Sequence, residues 1–168
     1  MAYSVGDKVM YPNRGAGTVT EVQHQELVAG FGAYYVIELS NADLMVHVPM
    51  KKAGDLGVRP AVSEATLDRL LDVLGKRPER LPDDYKERQE GVREKLATGQ
   101  AFRIAETVRD LAGHGQWAHL TKVDRRLLEE GRELLAGEMA LVTDGEITDA
   151  EAVIDTALAS AIERAAPN

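Results

Sequence analysis

Few side chains in this chain are spaced for catalysis. The four histidines, His24, His47, His114 and His119, form neither a His-x-x-x-His pair nor the His-Glu-x-x-His pattern that gathers zinc on a helix face, and they read as solvent-facing or hydrogen-bonded side chains. Arg14-Gly15-Ala16-Gly17 lacks the Gly-Lys-Ser/Thr continuation that holds phosphate and magnesium in a nucleotide loop, and it reads as a turn between strands. Asp83-Asp84 and Glu129-Glu130 are adjacent carboxylates that point in different directions on a helix, so they fit a helix N-terminus and a solvated face better than a shared substrate. With no cysteine, neither a disulfide nor a thiolate metal site is available. The residues therefore predict a chain that works by binding, with no catalytic residue, metal or cofactor.

The run Leu81-Pro82-Asp83-Asp84-Tyr85-Lys86-Glu87-Arg88 stands out, with Arg93 and Lys95 beyond it. An aromatic ring beside cations is the pairing that leans on a base while phosphates are held. Composition alone leaves a second reading open, in which Tyr85 packs on its own domain and the charges form a helix surface.

The elements that must carry these residues fall into two sets. From Asp7 to Pro49, short β-like runs alternate with turn residues: Lys8–Tyr11, Gly17–Val22, Gly32–Leu39 and Leu44–Pro49, joined through Pro12–Gly15, Ala29-Gly30 and Ser40–Asp43. About five short strands in under sixty residues predict a small antiparallel β-barrel, because closure removes exposed edges. After Pro60 the period becomes helical. Ser63 is placed to cap a helix carrying Leu67, Leu70, Leu71 and Leu74. A second helix begins near Leu81-Pro82-Asp83 and carries Tyr85, Val92 and Leu96; a third carries Ile104, Ala105, Val108 and Leu111. Thr121 with Asp124 and Thr148 with Glu151 resemble capping boxes opening a fourth helix and a fifth, which bury Val123, Leu127, Leu134 and Leu135, and Ile154, Leu158 and Ile162. The expected class is α+β, with a strand module over residues 1–60 and about five helices over 61–168.

The net charge of −8 opposes nucleic-acid binding, but the charges are unevenly spread. Residues 76–126 carry 12 basic and 9 acidic side chains, while 127–168 carry 2 and 10. A locally basic middle permits weak or assisted DNA contact over a limited surface. Met1-Ala2-Tyr3-Ser4 lacks signal-peptide character and no stretch reaches membrane-spanning length, so the expectation is a cytoplasmic protein without membrane contact, and by default a monomer.

One series of segments carries a resemblance. Val5-Gly6-Asp7-Lys8-Val9-Met10-Tyr11-Pro12-Asn13-Arg14-Gly15-Ala16-Gly17 is followed in order by Val46-His47-Val48-Pro49, Gly57-Val58-Arg59, Leu96-Ala97-Thr98-Gly99, Ala105-Glu106-Thr107-Val108-Arg109-Asp110-Leu111 and Leu134-Leu135-Ala136-Gly137-Glu138-Met139-Ala140. Together these resemble the CarD/CdnL family of bacterial transcription factors over nearly the whole chain. The resemblance implies a Tudor-like, SH3-like N-terminal domain that docks on the β subunit of RNA polymerase, partly by adding a strand at a sheet edge. At that interface it points to Gln25, Val46, His47, Val48 and Pro49. Gln25 and His47 stand where the family often has arginine, which shifts weight from salt bridges to backbone pairing.

The resemblance further implies a helical C-terminal domain at the upstream edge of the transcription bubble. There a family tryptophan enters the minor groove and props the opened DNA; the matching residue is Tyr85, a smaller ring that keeps a flat apolar body and a polar tip. Phosphate contact carries over to Arg125, and charge alone adds Lys86, Arg88, Lys122 and Arg126 as neighbours. Trp117, the one tryptophan, lies away from that position and is expected to pack against the helical domain, with a surface contact as the alternative. The expected function is a non-enzymatic regulator that binds polymerase, contacts promoter DNA and stabilises the open complex, in a nucleoid-associated location. A protein adaptor without DNA contact and a sequence-specific helix-turn-helix repressor are the alternatives.

Overall fold

The alternation of apolar and polar residues in the first sixty positions builds strands β1 (Lys8–Tyr11), β2 (Gly15–Gln23), β3 (Tyr34–Leu39), β4 (Leu44–Pro49) and β5 (Arg59–Pro60). The computed structural model describes residues 2–24, 29–30, 32–40 and 42–166, and the chain divides into two compact units, Met1–Ala61 and Val62–Asn168. In the first unit the strands form one antiparallel sheet in the order β4-β3-β2-β1-β5. A register shift between Val19 and Glu21 makes Thr20 a bulge, which sharpens the local twist of β2. Val9, Val19, Tyr35, Ile37 and Val48 form the centre of the core on one face, joined by Tyr3, Leu39, Ala53 and Val58. The Tyr3 hydroxyl donates to the Val58 carbonyl at 3.1 Å, and the Tyr35 hydroxyl accepts the Tyr3 N–H at 3.0 Å, so neither buried phenol is left unsatisfied.

The expected turn at Arg14–Gly17 lies slightly earlier. Asn13 takes the left-handed conformation (φ 63°) and Arg14 N–H closes the turn on the Tyr11 carbonyl, whereas Gly15, Ala16 and Gly17 already belong to β2.

Among the described residues the second unit contains five helices: α1 (Glu64–Gly75), α2 (Tyr85–Ala97), α3 (Ala101–His114), α4 (Lys122–Thr143) and α5 (Ile147–Ala165). Leu70, Leu74, Ile104, Leu111, Leu135 and Ile154 are fully buried, and α3 packs against each of the other four helices. A strand module followed by five helices is the class expected from the sequence.

Two helix starts differ from expectation. α2 begins at Tyr85 rather than at Leu81–Asp83, because the Asp84 carboxylate accepts the Glu87 N–H and fixes Asp84 as the cap. The Thr148–Glu151 capping box does not form. Asp144 ends α4 in the left-handed conformation and the next helix starts at once, with Glu146 as its cap, so Thr148 lies inside the first turn. The Thr121–Asp124 box does form, with both reciprocal hydrogen bonds. Among the described residues, no helix is long and apolar enough to cross a membrane.

The contact between α3 and α4 depends on Gly131. A Cβ placed there falls 2.5 Å from Val108 Cγ2, whereas one placed at the helical Gly91 meets nothing within 4 Å. Gly131→Ala is therefore expected to destabilise the helical unit by about 1–3 kcal/mol through overpacking, while Gly91→Ala gains about 0.5–1 kcal/mol from helix propensity alone. Urea denaturation of the two variants checks the pair, and equal behaviour would contradict the close packing.

Candidate functional site

Two surfaces bear the residues singled out above, one in each unit. In the first unit, β4 lies at the end of the sheet and pairs, among the described residues, only with β3. Its other side presents backbone groups that another strand can use. Val46 and Val48 alternate inward, half-buried and buried respectively, and Val48 is part of the core. His47 is exposed, as are Leu44 and Met45, the last at 52%. Pro49 ends the strand without a backbone N–H to donate. Of the residues named from sequence, His47 thus offers a side chain, Val48 can offer only backbone, and Gln25 lies outside the described residues. Met45, an exposed apolar side chain on an edge strand, was missed by the sequence reading.

The second surface is organised by a buried ion pair. Arg88, the fourth residue of α2, has 3% of its surface exposed, and Asp124, the third residue of α4, is fully buried. Arg88 Nε donates to Asp124 Oδ1 at 3.1 Å and Nη2 to Oδ2 at 2.8 Å, a two-pronged pairing. Nη1 donates to the carbonyls of Pro82 (3.1 Å) and Asp83 (3.0 Å). The same carboxylate accepts the Thr121 N–H at 2.8 Å, while Gln89 Nε2 reaches Thr121 Oγ1 at 3.0 Å. One guanidinium therefore ties the segment leading into α2 to the capping box of α4.

This changes the role of Arg88. Expected as a phosphate contact, it is withdrawn from the surface because its fork is committed to Asp124 and to two backbone carbonyls. Its effect on the surface is positional: it sets the start of α2 beside the start of α4. Tyr85, the first residue of α2, stays 52% exposed, with Lys86 Nζ 6.0 Å from its ring centre. On the first turn of α4, Lys122, Arg125 and Arg126 are exposed, and Arg125 donates one N–H to the Leu120 carbonyl at 3.0 Å. Two helix N-termini, each the positive end of its dipole, add to these cations, and the exposed Asp83, Asp84 and Glu87 temper them.

Trp117 is elsewhere. Its indole N–H donates to the Ala165 carbonyl at the end of α5 at 3.0 Å, and Arg80 lies over its ring at 5.8 Å, so it packs within the helical unit as expected.

The electrostatics follow from burial. Burial alone raises the Asp124 carboxyl, but hydrogen bonds from Arg88 and Thr121 outweigh it and hold the group at about 2. The hydrogen bond to Asp124 raises the Arg88 guanidinium. His114, the last residue of α3, is 1% exposed, and neither ring nitrogen has a partner among the described residues. Burial, followed by the positive charge of Arg88, pushes its imidazole below the usual value.

Residues 3–62 match the family model described as the CarD-like/TRCF RID domain, and residues 69–155, just over half of the chain, match the model described as the CarD C-terminal domain. The chain belongs to the CarD family. A relative in Bacillus subtilis (strain 168), named there as the candidate transcription factor YdeB, is 27% identical over 142 residues, covering 83% of this chain and 92% of that protein. CarD membership makes the chain one of a family of transcription regulators, with an RNA-polymerase-interaction domain at its N-terminal end.

Two outcomes are expected. Arg88→Ala leaves the Asp124 carboxylate buried and unpaired, and should destabilise this CarD-family protein by about 3–5 kcal/mol in urea denaturation. Stability should also fall in two stages on acidification. His114 has a lowered folded-state value, so its contribution is complete above about 6.5 and is lost below that, as the unfolded chain takes up the proton first. The contribution of Asp124 is complete above 3.8 and is lost as pH falls toward about 2. Denaturation midpoints at pH 7, 5.5 and 3 measure both stages; a flat profile would contradict the assignment.

Proposed function

We propose that this protein binds the β subunit of RNA polymerase through the open edge of β4 and stabilises the promoter open complex by setting Tyr85 against DNA at the upstream edge of the bubble. The observation that carries the reading is the exposed ring of Tyr85 on a helix start, locked beside a second helix start that presents Lys122, Arg125 and Arg126. A flat ring wedged at a base step offsets an unstacking cost of a few kcal/mol, and the flanking cations hold the backbone without reading sequence. Lys86 supplies a further charge beside the ring, while Arg88 contributes by position rather than by contact.

In this reading His47 and the backbone of Val46, Val48 and Pro49 meet the polymerase, by strand addition with few salt bridges. Recruitment accounts for the acidic remainder of the chain: a domain delivered by its neighbour acts at high effective concentration and needs little free affinity for DNA. Such a protein is non-enzymatic, uses no cofactor, and belongs in the cytoplasm with the nucleoid.

The exposed Asp83, Asp84 and Glu87 around Tyr85 favour one competing reading, in which the same surface receives a basic protein segment and the chain is an adaptor. Tyr85→Ala is expected to shorten open-complex lifetime several-fold while polymerase affinity is unchanged; an unchanged lifetime would remove the wedge. Crosslinking from position 85 to promoter DNA in the polymerase complex separates the readings, since an adaptor gives protein adducts only. Arg125→Ala should lower the salt slope of DNA association by about one unit for one lost phosphate contact.

A further inference from the structure

At the centre of α2 stands a glycine that the helical unit itself does not require. Gly91 has no positive φ, and a Cβ built on it meets nothing within 4 Å, so neither a left-handed backbone nor internal packing calls for it. Gly131 differs, because Val108 occupies the space its side chain would fill. Inside a helix glycine is less favourable than alanine, and what a missing side chain still permits is close approach of another molecule to the backbone.

Gly91 forms part of the wall of a cleft of about 240 Å³ bounded by α2, by the segment before it and by α3. Leu81, Pro82 and Val92 give the cleft an apolar lining. Its buried polar groups are already committed: each nitrogen of Arg88 donates within the unit, and the Thr107 hydroxyl donates to the Arg103 carbonyl at 2.8 Å. Glu87, which is exposed, and Lys95, which is half-buried, line it as well, one turn before and one turn after Gly91 on the same side of α2. Among the described residues neither of these two takes part in an ion pair.

These features select the occupant. Sites that enclose small-molecule ligands measure about 300–1,000 Å³, and this smaller space suits one side chain. Eight helical residues separate the two charges by about 12 Å, too far for the two ends of a free amino acid. An extended chain covers about 13 Å in four residues, which matches. A nucleobase would bring an edge that needs hydrogen bonds to a cleft whose polar groups are committed, and a phosphate toward the Glu87 carboxylate.

We infer that this cleft is a docking site for an extended protein segment that lays one apolar side chain against the bare backbone of Gly91. A cation two residues to one side of that anchor faces Glu87, and a carboxylate two residues to the other side faces Lys95. An apolar anchor seated in a fitted pocket is where the energy of an interface concentrates. The site is separate from the roles proposed for Tyr85 and β4, and its test needs neither polymerase nor DNA contact.

The probe is the blocked pentapeptide acetyl-Arg-Ser-Phe-Ser-Glu-amide, titrated into the nitrogen-15-labelled full chain. The amide signals of Gly91, Val92 and Thr107 should move saturably, with a Kd of about 1 mM or tighter. The analogue with glutamine at both charged positions should bind roughly threefold or more weakly. Gly91→Leu fills the space and should weaken the pentapeptide roughly tenfold or more, with a urea midpoint no lower than that of wild type. Glu87→Lys leaves the shape of the cleft intact and should weaken it roughly threefold or more, which decides the matter if the leucine variant is unstable. Absence of saturable movement at about ten times the expected Kd overturns the inference, as does unchanged affinity in both variants. Three further results overturn it by naming another occupant: N-acetyl-phenylalanine amide binding as tightly as the pentapeptide, for a small apolar ligand; oligothymidylate moving the same signals at lower concentration, for a base; and a dimer in sedimentation that Gly91→Leu disrupts, for a second copy of the chain.

Discussion

The junction where α2 and α4 begin depends on a desolvated ion pair. Placing Arg88 and Asp124 out of water is costly, and in general a well-packed apolar pair of similar volume stabilises a core as well or better. The pair offers a geometry that no apolar contact reproduces. A guanidinium has donors on three nitrogens in fixed directions, and here they reach a carboxylate on α4 and two carbonyls ahead of α2 at once. The carboxylate belongs to a capping box, so the interaction joins three chain segments at the point where two helices begin. The surface around Tyr85 is the outside of that junction.

Much of this architecture was legible in the residues. The leucine spacing of α1, the Thr121–Asp124 box and the alternation in the strands each reflect a local rule, and local rules act before tertiary structure exists. Thr148 obeyed the same box pattern and failed, because the preceding turn is short and α5 starts one residue before it. The burial of Arg88 had a faint signal: positions 88, 92 and 96 share one helix face, and Val92 and Leu96 mark it as the inner one. What the spacing could not supply was the partner, which lies 36 positions along the chain. Met45 escaped notice for the opposite reason, since an apolar residue in a strand is ordinarily assigned to a core, and only the sheet order shows that this strand ends the ladder.

Charge distribution and fold support each other. Arg132 at the middle of α4 bridges Glu129 and Asp155, so that one of the few cations beyond the helix start is spent within the acidic region. The other cations of α4 lie near its start, at the exposed Lys122, Arg125 and Arg126. A helix with positive charge at its start and negative charge beyond works against its own dipole, at a cost of a few tenths of a kcal/mol per group.

The open side of β4 has a cost of its own. Any strand that invites pairing from a partner also invites it from another copy of itself, and repeated self-pairing is the route to fibrils. Here the strand is six residues long and closes with Pro49, which has no N–H to donate to a further ladder. The exposed imidazole of His47 lies next but one to Met45 on the same face of the strand and interrupts its apolar character. Brevity, a proline stop and one polar interruption make this edge a poor template for a stack.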